Sequence, residues 1–547
     1  MIISSSESDL SSIRQLNEIG IALSSERNLD TLLESLLYSA RELTSADAGT
    51  LYIVDSAQKQ LSFAIVQNDT LGLYLGGNGE PVGAHFPTID LFQPDGSPNH
   101  HLVVAYTALN DKTVNIEDAY CAQGFDFSGT CKFDQSTGYR SRAFLTVPMH
   151  SHEGEVVAVL QLLNKRVEHG LTGTFSRADQ HIAESLASQA SVAITNQRLI
   201  DEMRTLFDSF VRVIATAIDA KSAHTGAHCR RVPDATLLLA EAAHRSIHPD
   251  IASFTLTDAD RYEIKTAAWL HDCGKIVIPH HIMEKSTKLE GLFDRLHLIE
   301  ARFAAKKREI ENEQLRRELS ACRNNKVVTQ IERDTFQAEL DSLANHLALV
   351  QRVNADGAIV QDEDIKKLEL IAQQDWEDAS GCRMPLLTAD ELENLCIRRG
   401  TLNHNERKII EGHVQATLDM LSELPFPKQL QRVPEYAGGH HERMDGSGYP
   451  KGLTRDELSL PARMLGIADV FEALTAPDRP YKMPMTLSEA LTVMGHMVEN
   501  QHLDGALFAV FIEEKVYLEY AHKHLQSFQI DSVDVDTLPG LKTASST

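Results

Sequence analysis

Apolar residues recur at two different periods along this chain. From residue 9 to about 45 the spacing is helical: Leu10, Ile13, Leu16, Ile19 and Leu23, then Leu32, Leu33, Leu36 and Leu37 after an Asn28-Leu29-Asp30 break. Short apolar runs follow that read as strands, from Ala48 to Val54 and from Leu61 to Val66. A stretch rich in Gly, Asn and Asp, about 68 to 140, reads as loop. Two further strands, Ala143 to Met149 and Val156 to Leu163, are joined as a hairpin through His152-Glu153-Gly154-Glu155. Helical spacing resumes near Asp179 and continues with few breakers to about 220. That helix could pair with its own copy in a parallel dimer, although its apolar positions do not keep a strict heptad.

Beyond 206 the pattern is mainly helical. Ile264, Ala267, Ala268 and Leu270 predict a helix over about 258 to 273, stopped at Gly274, after which Lys275 to Pro279 leaves extended. Phe293 to Cys322 and Val328 to Val353 read as two long charged helices, an antiparallel hairpin within an insertion of about 290 to 360. A linking segment, about 361 to 400, brings the chain back to a helix from Asn405 to Met420. Helices are predicted at about 487 to 499 and 504 to 524, and a disordered tail over 530–547. The fold class is multi-domain: an α+β module with helices flanking an antiparallel sheet, then an all-α unit with an inserted helical hairpin.

Composition narrows the function. The chain has 547 residues and a net charge of −26, which disfavours direct binding to nucleic acid or anionic membrane. An anionic substrate needs a local cationic or metal-lined site to overcome that field. No run approaches the 18 apolar residues of a membrane span, and MIISSSESDL lacks a basic and an apolar targeting region, so a cytoplasmic location is expected. The seven cysteines show no C-x-x-C spacing, which fits a reducing compartment and argues against zinc-thiolate sites.

The chemistry centres on Trp269-Leu270-His271-Asp272-Cys273-Gly274-Lys275, an imidazole beside a carboxylate where an apolar helix runs out. A two-oxygen Asp can bridge two ions that an adjacent His helps to hold. His228, His413, His440, His441 and Asp469 lie on other helices or helix ends with apolar neighbours. Together they form a sulfur-free donor set suited to two first-row ions, iron or manganese first among them. Two other histidine pairs, His100-His101 and His280-His281, have no such surroundings and read as surface.

Two family resemblances are carried by longer motifs. Asp134-Gln135-Ser136-Thr137-Gly138-Tyr139, Ala143 to Met149, Leu163-Asn164-Lys165, Phe175 and Asp179 resemble a GAF domain over about 10–198. Asn164, Lys165 and Asp179 read equally as a tie between the last strand and the following helix. The resemblance implies a small-molecule ligand at this sensor and leaves its identity and pocket open. His271-Asp272-x-Gly274-Lys275, His440-His441-Glu442-x-x-Asp445-Gly446-x-Gly448-Tyr449-Pro450, Asp469 to Thr475 and Asp478-Arg479-Pro480-Tyr481-Lys482 resemble the HD-GYP family of cyclic di-GMP phosphodiesterases over about 206–525. A connecting helix, 180–220, joins the two modules.

The second resemblance implies two divalent ions on His228, His271, Asp272, His413, His440, His441 and Asp469, with His224 the candidate for a third. It implies phosphate contacts from Lys275, Arg479 and Lys482, and a pocket wall from Tyr449. The expected reaction is hydrolysis of cyclic di-GMP to linear pGpG and/or GMP under GAF control, in a homodimer. A non-catalytic cyclic di-GMP-binding module, or hydrolysis of another cyclic dinucleotide or nucleotide, are the rival readings.

Overall fold

The computed structural model describes residues 28–55, 59–84, 86–167, 172–221, 227–324, 327–355, 357–476 and 484–541. The helix expected before residue 28, and the candidates His224, Arg479 and Lys482, lie outside the described residues. The chain divides into two units, the first ending at Phe207 and the second starting at Asp208.

The first unit is built on an antiparallel sheet. After helix α1 (Leu29–Thr44) come β1 (Ala46–Asp55), β2 (Gln60–Asn68), β3 (Leu73–Gly76) and β4 (Ile89–Asp90). Helix α2 (Val103–Asn110), β5 (Val114–Ile116), α3 (Ser128–Thr137), β6 (Phe144–His150), β7 (Val156–Arg166), β8 (Thr172–Gly173) and the first part of the long α4 (Arg177–Lys221), which runs on into the second unit, complete it. The main strand order is β3-β2-β1-β7-β6-β5. Alternation along the strands sends Leu51, Leu145, Val147 and Leu160 to one face, where Leu33, Leu36 and Leu37 of α1 and Ala183, Leu186 and Ala190 of α4 cover them. Tyr52 and Val159 point to the other face, under Val104 and Ala105 of α2.

The stretch expected as loop, 68 to 140, contains two helices and three short strands. The polar sequence of α3 hid that helix, because it is held by polar contacts. Its buried residue is Asp134, which accepts from Ser141 N and Oγ, both at 2.8 Å, and from the Tyr120 hydroxyl at 2.6 Å. Asn164 accepts from Arg142 N and Ala143 N at the end of β7, and Lys165 pairs with Asp179 at the start of α4. That part of the GAF motif is a tie between strand and helix.

The second unit is helical. Its elements are α5 (His228–Arg245), α6 (Asp258–Leu270), a 3₁₀ turn (Cys273–Val277), α7 (His280–Met283), α8 (Leu296–Arg323), α9 (Gln330–Asn354) and α10 (Asp362–Ala372). A small hairpin of β9 (Asp375–Glu377) and β10 (Arg383–Pro385) precedes α11 (Ala389–Leu395). Then come α12 (His404–Ser422), α13 (Val433–Gly438), α14 (Leu460–Thr475), α15 (Leu487–Glu499), α16 (Gly505–Glu513) and α17 (Val516–His524). Phe471 of α14 packs its ring 5.0 Å from Phe511 and 5.4 Å from Tyr520. Each fully buried aromatic of this kind contributes about 1.5–3 kcal/mol through lost apolar surface.

Four expectations are corrected. The dyad helix ends at Leu270, so His271 and Asp272 sit on the exit turn, and Lys275 to Val277 coils as a 3₁₀ turn where an extended segment was expected. The charged hairpin does not pack on itself alone. Ile299, Phe303, Leu343 and Val350 share a core with Leu368, Ile371, Leu386 and Leu395, so the supposed linker supplies the other half of a subdomain. The helix expected over 504 to 524 is broken at Lys515, whose φ of 55° is left-handed. The tail is packed as far as Leu541: Leu538 is buried, and Pro539 lies so close to Gly495 that a Cβ there would meet its carbonyl oxygen at 2.2 Å.

Candidate metal centre

Three helices and two exit turns bring the donors together. α6 starts at a capping box between Thr257 and Asp260, which fixes where its last turn delivers His271 and Asp272. Gly274 lets that exit turn lie against the backbone of α12, since any Cβ there would fall 2.0 Å from the His413 carbonyl oxygen. The contact is closed by Thr417, whose hydroxyl accepts from Gly274 N at 2.9 Å and donates to the His271 carbonyl at 3.1 Å. His413 and Thr417 are one turn apart on α12, so the helix that supplies one ligand also clamps the dyad. His228 opens α5, His440 and His441 follow α13, and Asp469 lies within α14.

The Asp272 carboxylate stands between two groups of imidazoles. Its Oδ2 lies 3.4 Å from His228 Nε2 and 3.3 Å from His271 Nε2, and Asp469 Oδ1 approaches the same two nitrogens at 3.1 and 3.6 Å. Its Oδ1 lies 3.3 Å from His413 Nε2 and 4.0 Å from His440 Nε2. His441 packs on the second group, its ring 4.2 Å from His440 and 5.2 Å from His413. Donor atoms of His228, His271 and Asp272, and separately those of His413, His440 and His441, lie within 4.8 Å of one another.

Four of the five imidazoles are set to offer Nε2. The Nδ1–H of His271 donates to the Ala268 carbonyl at 2.8 Å, that of His413 to Ile410 at 2.6 Å, and that of His440 to Ala437 at 2.6 Å. The same backward bond, three residues up the chain, recurs three times and fixes the tautomer with a lone pair on Nε2. His228 Nδ1 faces the buried Glu472 instead, which also accepts from Arg231 Nε at 2.7 Å. The Nε2 atoms of His228, His271, His413 and His440, with Asp272 Oδ1, are buried and have no hydrogen-bond partner. Buried polar atoms are seldom left so, and five around one space fit a cation. The nitrogen and oxygen donors suit a first-row divalent ion.

Electrostatics divides the site along the same line. Burial opposes a charge on His228 and His271, but Glu472 beside the first and Asp272 beside the second outweigh it, and His271 rises to about 9. Burial also opposes ionisation of Asp272 and Asp469, but both are held well below the usual range, Asp272 by Lys275 and His271, Asp469 by His228 and His271. On the other side burial and neighbouring imidazoles keep His440 well below its ordinary value and His441 at about 4. Neutral imidazole is the form that ligates. On the acidic side a divalent cation would replace the protons that the carboxylates draw in.

The sequence candidates fare unequally. His228, His271, Asp272, His413, His440, His441 and Asp469 converge. Lys275 places Nζ 2.6 Å from Asp272 Oδ2, and Tyr449 stacks on His441 at 4.9 Å between ring centroids. His100, His101, His280 and His281 are exposed. Sequence reasoning gave no part to Glu472, Glu442 or Thr417. Glu472 is one helical turn past Asp469, which was a usable signal. Glu442 holds the Gly-Tyr-Pro loop by accepting from Lys451 N at 2.7 Å and Leu453 N at 2.9 Å.

A second cavity lies inside the sheet unit, about 290 Å³ in volume. Tyr52, Phe63, Phe86, Phe127, Phe133 and Phe144 line it, and no Lys, Arg or His is among its lining residues.

Comparison with known proteins matches residues 28–194 to a GAF domain model, and residues 225–365 and 383–507 to two HD domain models. A 3'3'-cGAMP-specific phosphodiesterase of Vibrio cholerae is 42% identical over 123 residues, 22% of this chain and 27% of that protein. A cyclic di-GMP phosphodiesterase of Pseudomonas aeruginosa is 37% identical over 114 residues, 21% of this chain and 26% of that protein. The matched stretch thus spans about a quarter of these relatives. A solved GAF domain/HD domain protein from Geobacter sulfurreducens aligns at 17% identity and a TM-score of 0.24, over 32% of this chain and 97% of that one. Among the described residues no helix is long and apolar enough to cross a membrane.

Proposed function

This chain carries a GAF domain followed by an HD domain, and we propose that the second is a metal-dependent phosphodiesterase that opens cyclic di-GMP to linear pGpG and/or GMP. One observation carries the reading: the two oxygens of Asp272 face two separate imidazole groups whose Nε2 atoms lack partners. His228, His271, Asp272 and Asp469 would hold one divalent ion, and Asp272, His413, His440 and His441 the other, with iron or manganese the best chemical fit. Ions held there supply Lewis-acid activation of water and neutralise charge on the phosphodiester.

The protein's own residues do the positioning. Backbone carbonyls of Ala268, Ile410 and Ala437 fix three imidazoles, and Glu472 fixes the fourth. Lys275 keeps Asp272 ionised and, at the edge of the site, adds positive charge for the phosphate. Tyr449, stacked on His441, forms the wall against which a base or sugar would lie. Arg479 and Lys482 are proposed phosphate contacts, and His224 a candidate donor for a third ion.

The names of the similar Vibrio cholerae proteins favour a second substrate, 3'3'-cGAMP, which shares the cyclic diester and differs in one base. Manganese-loaded protein supplied separately with cyclic di-GMP, 3'3'-cGAMP and a nucleotide monophosphate should release linear product from cyclic di-GMP fastest. Faster turnover of 3'3'-cGAMP reassigns the substrate, and tight binding of cyclic di-GMP without product would make the domain a receptor.

For the GAF domain we propose a regulatory ligand that is largely apolar and not an anion, because its aromatic cavity is lined by Asp126 and offers no cation to a phosphate. Calorimetric titration with cyclic GMP should show no binding to this unit, and binding would refute the assignment.

A further inference from the structure

The chain enters the inserted subdomain just after Lys285 and leaves it just before Thr401. The two ends meet, the Thr401 hydroxyl donating to the Lys285 carbonyl at 2.9 Å. Lys285 is buried, its side chain 1% accessible. A buried ammonium needs an acceptor for each of its three N–H groups. It finds them in Asn394 Oδ1 at 2.9 Å and in both carboxylate oxygens of Glu406 at 2.8 Å. Asn394 belongs to α11 of the inserted subdomain, and its Nδ2 donates to the Asp390 carbonyl at 2.8 Å, which leaves Oδ1 to the ammonium. Glu406 belongs to the capping box of α12, accepting from Asn403 N at 2.9 Å while Asn403 Oδ1 accepts from Glu406 N at 2.9 Å. One buried cation therefore joins the segment that follows the dyad, the inserted subdomain and the first turn of the helix that carries His413.

We propose that Lys285 is a positioning residue for the metal centre, and that Asn394 gives the inserted subdomain a part in it. That role presupposes the ion assigned above to Asp272, His413, His440 and His441. Glu406, His413 and Thr417 follow one another at intervals of seven and four residues, which places them within about 40° of one another on α12. The segment from His271 to Lys285 is tied to that face twice, at Thr417 through Gly274 N and the His271 carbonyl, and at Glu406 through Lys285. His413 lies between the ties. Its ring travels with the helix, because its Nδ1 is bonded to the Ile410 carbonyl one turn back. Held at Thr417 alone, α12 would be free to swing about that end. At 1.5 Å per residue Glu406 lies about 16 Å from the pivot and His413 about 6 Å. Loosening the Glu406 end by roughly 3 Å, one hydrogen-bond length, thus moves His413 by roughly 1 Å against Asp272.

Lys285→Met keeps the stem and removes the charge. The full chain, stripped and reloaded anaerobically with manganese, should then bind its second ion about 10–100-fold more weakly by titration and its first ion as before. At saturating manganese kcat on cyclic di-GMP should fall about a hundredfold with KM within about twofold, because Lys275 and Tyr449 are untouched. Glu406→Gln keeps the capping box and loses the charge, so it reads the same tie from α12 and should weaken the second ion in the same way. Asn394→Leu leaves the pair of Lys285 with Glu406 and removes one acceptor, so the second ion should weaken about threefold to tenfold. Variants at 285 and 406 that melt lower yet bind both ions and turn over like the parent chain would make the pair a support alone and overturn the proposal. Unchanged ion affinity in Asn394→Leu would overturn the part given to the inserted subdomain. A parent chain that takes up no second ion would overturn the reading of the metal centre, and this positioning with it.

Discussion

Replacing Gly274 by alanine adds one methyl group where the exit turn of α6 crosses α12. Its carbon would lie 2.0 Å from the His413 carbonyl oxygen, 2.5 Å from Thr417 N and 2.8 Å from Thr417 Oγ1. All three are held by helical or clamping bonds, so none can swing away as a long side chain would. Restoring contact to an ordinary separation moves the two backbones apart by roughly 1 Å, and overpacking of this kind costs about 1–3 kcal/mol. The same movement breaks the bonds through Thr417 and draws Asp272 Oδ1 away from His413 Nε2, now 3.3 Å distant. A displacement near 1 Å at a reacting centre costs about a hundredfold in rate. Gly274→Ala should therefore lose ion content and about two orders of magnitude in turnover of cyclic di-GMP, with a modest drop in melting temperature. Elemental analysis, product chromatography and thermal unfolding read the three quantities. Full ion content and full turnover in a protein of lowered stability would show that the close approach is packing alone.

Three further outcomes follow from other contacts. Glu472→Gln keeps the volume beside His228 and removes the charge, so ion affinity should fall about 10–100-fold with helicity unchanged, and unchanged affinity by titration with manganese would remove Glu472 from the centre. Asp504 is buried, caps α16 at Ala506 N and Leu507 N, and pairs with Arg455 and Arg463. Burial pushes its carboxyl up, yet those bonds hold it below the usual range. Its stabilisation is thus present above the unfolded carboxylate value near 4 and lost as pH falls below it. Asp504→Asn should lower the melting temperature of the helical unit at pH 7 and flatten its acid dependence, and an unaltered acid limb would refute this. Inserting two residues after Gln197 rotates the following helix by about 200°, and inserting seven restores nearly two turns. Turnover should change strongly with two and less with seven, whereas equal rates would mean α4 does not convey GAF control.

Legibility in the sequence followed the reach of each interaction. Helical and strand periods are local, so α1, β1, β2, β6, β7 and α12 were read within a few residues of their observed ends. The seven converging donors were legible because they sit in motifs with fixed spacing. What failed was non-local or polar. The clamp between Gly274 and Thr417 joins residues 143 apart in sequence, and no pattern announces it. The core shared by α8, α9, α10 and α11 unites segments whose charge made them look solvated. Helix α3 rests on a carboxylate network, which leaves no hydrophobic period to detect.

The account turns on Asp272 joining two donor groups, and ion stoichiometry tests that most directly. Protein stripped by chelator, reloaded anaerobically with manganese and freed of excess should hold at least two ions per chain by elemental analysis, and Asp272→Ala should hold one or none while remaining folded by circular dichroism. A single ion in the parent chain, or the same content in both proteins, would contradict the reading of Asp272 as the bridge.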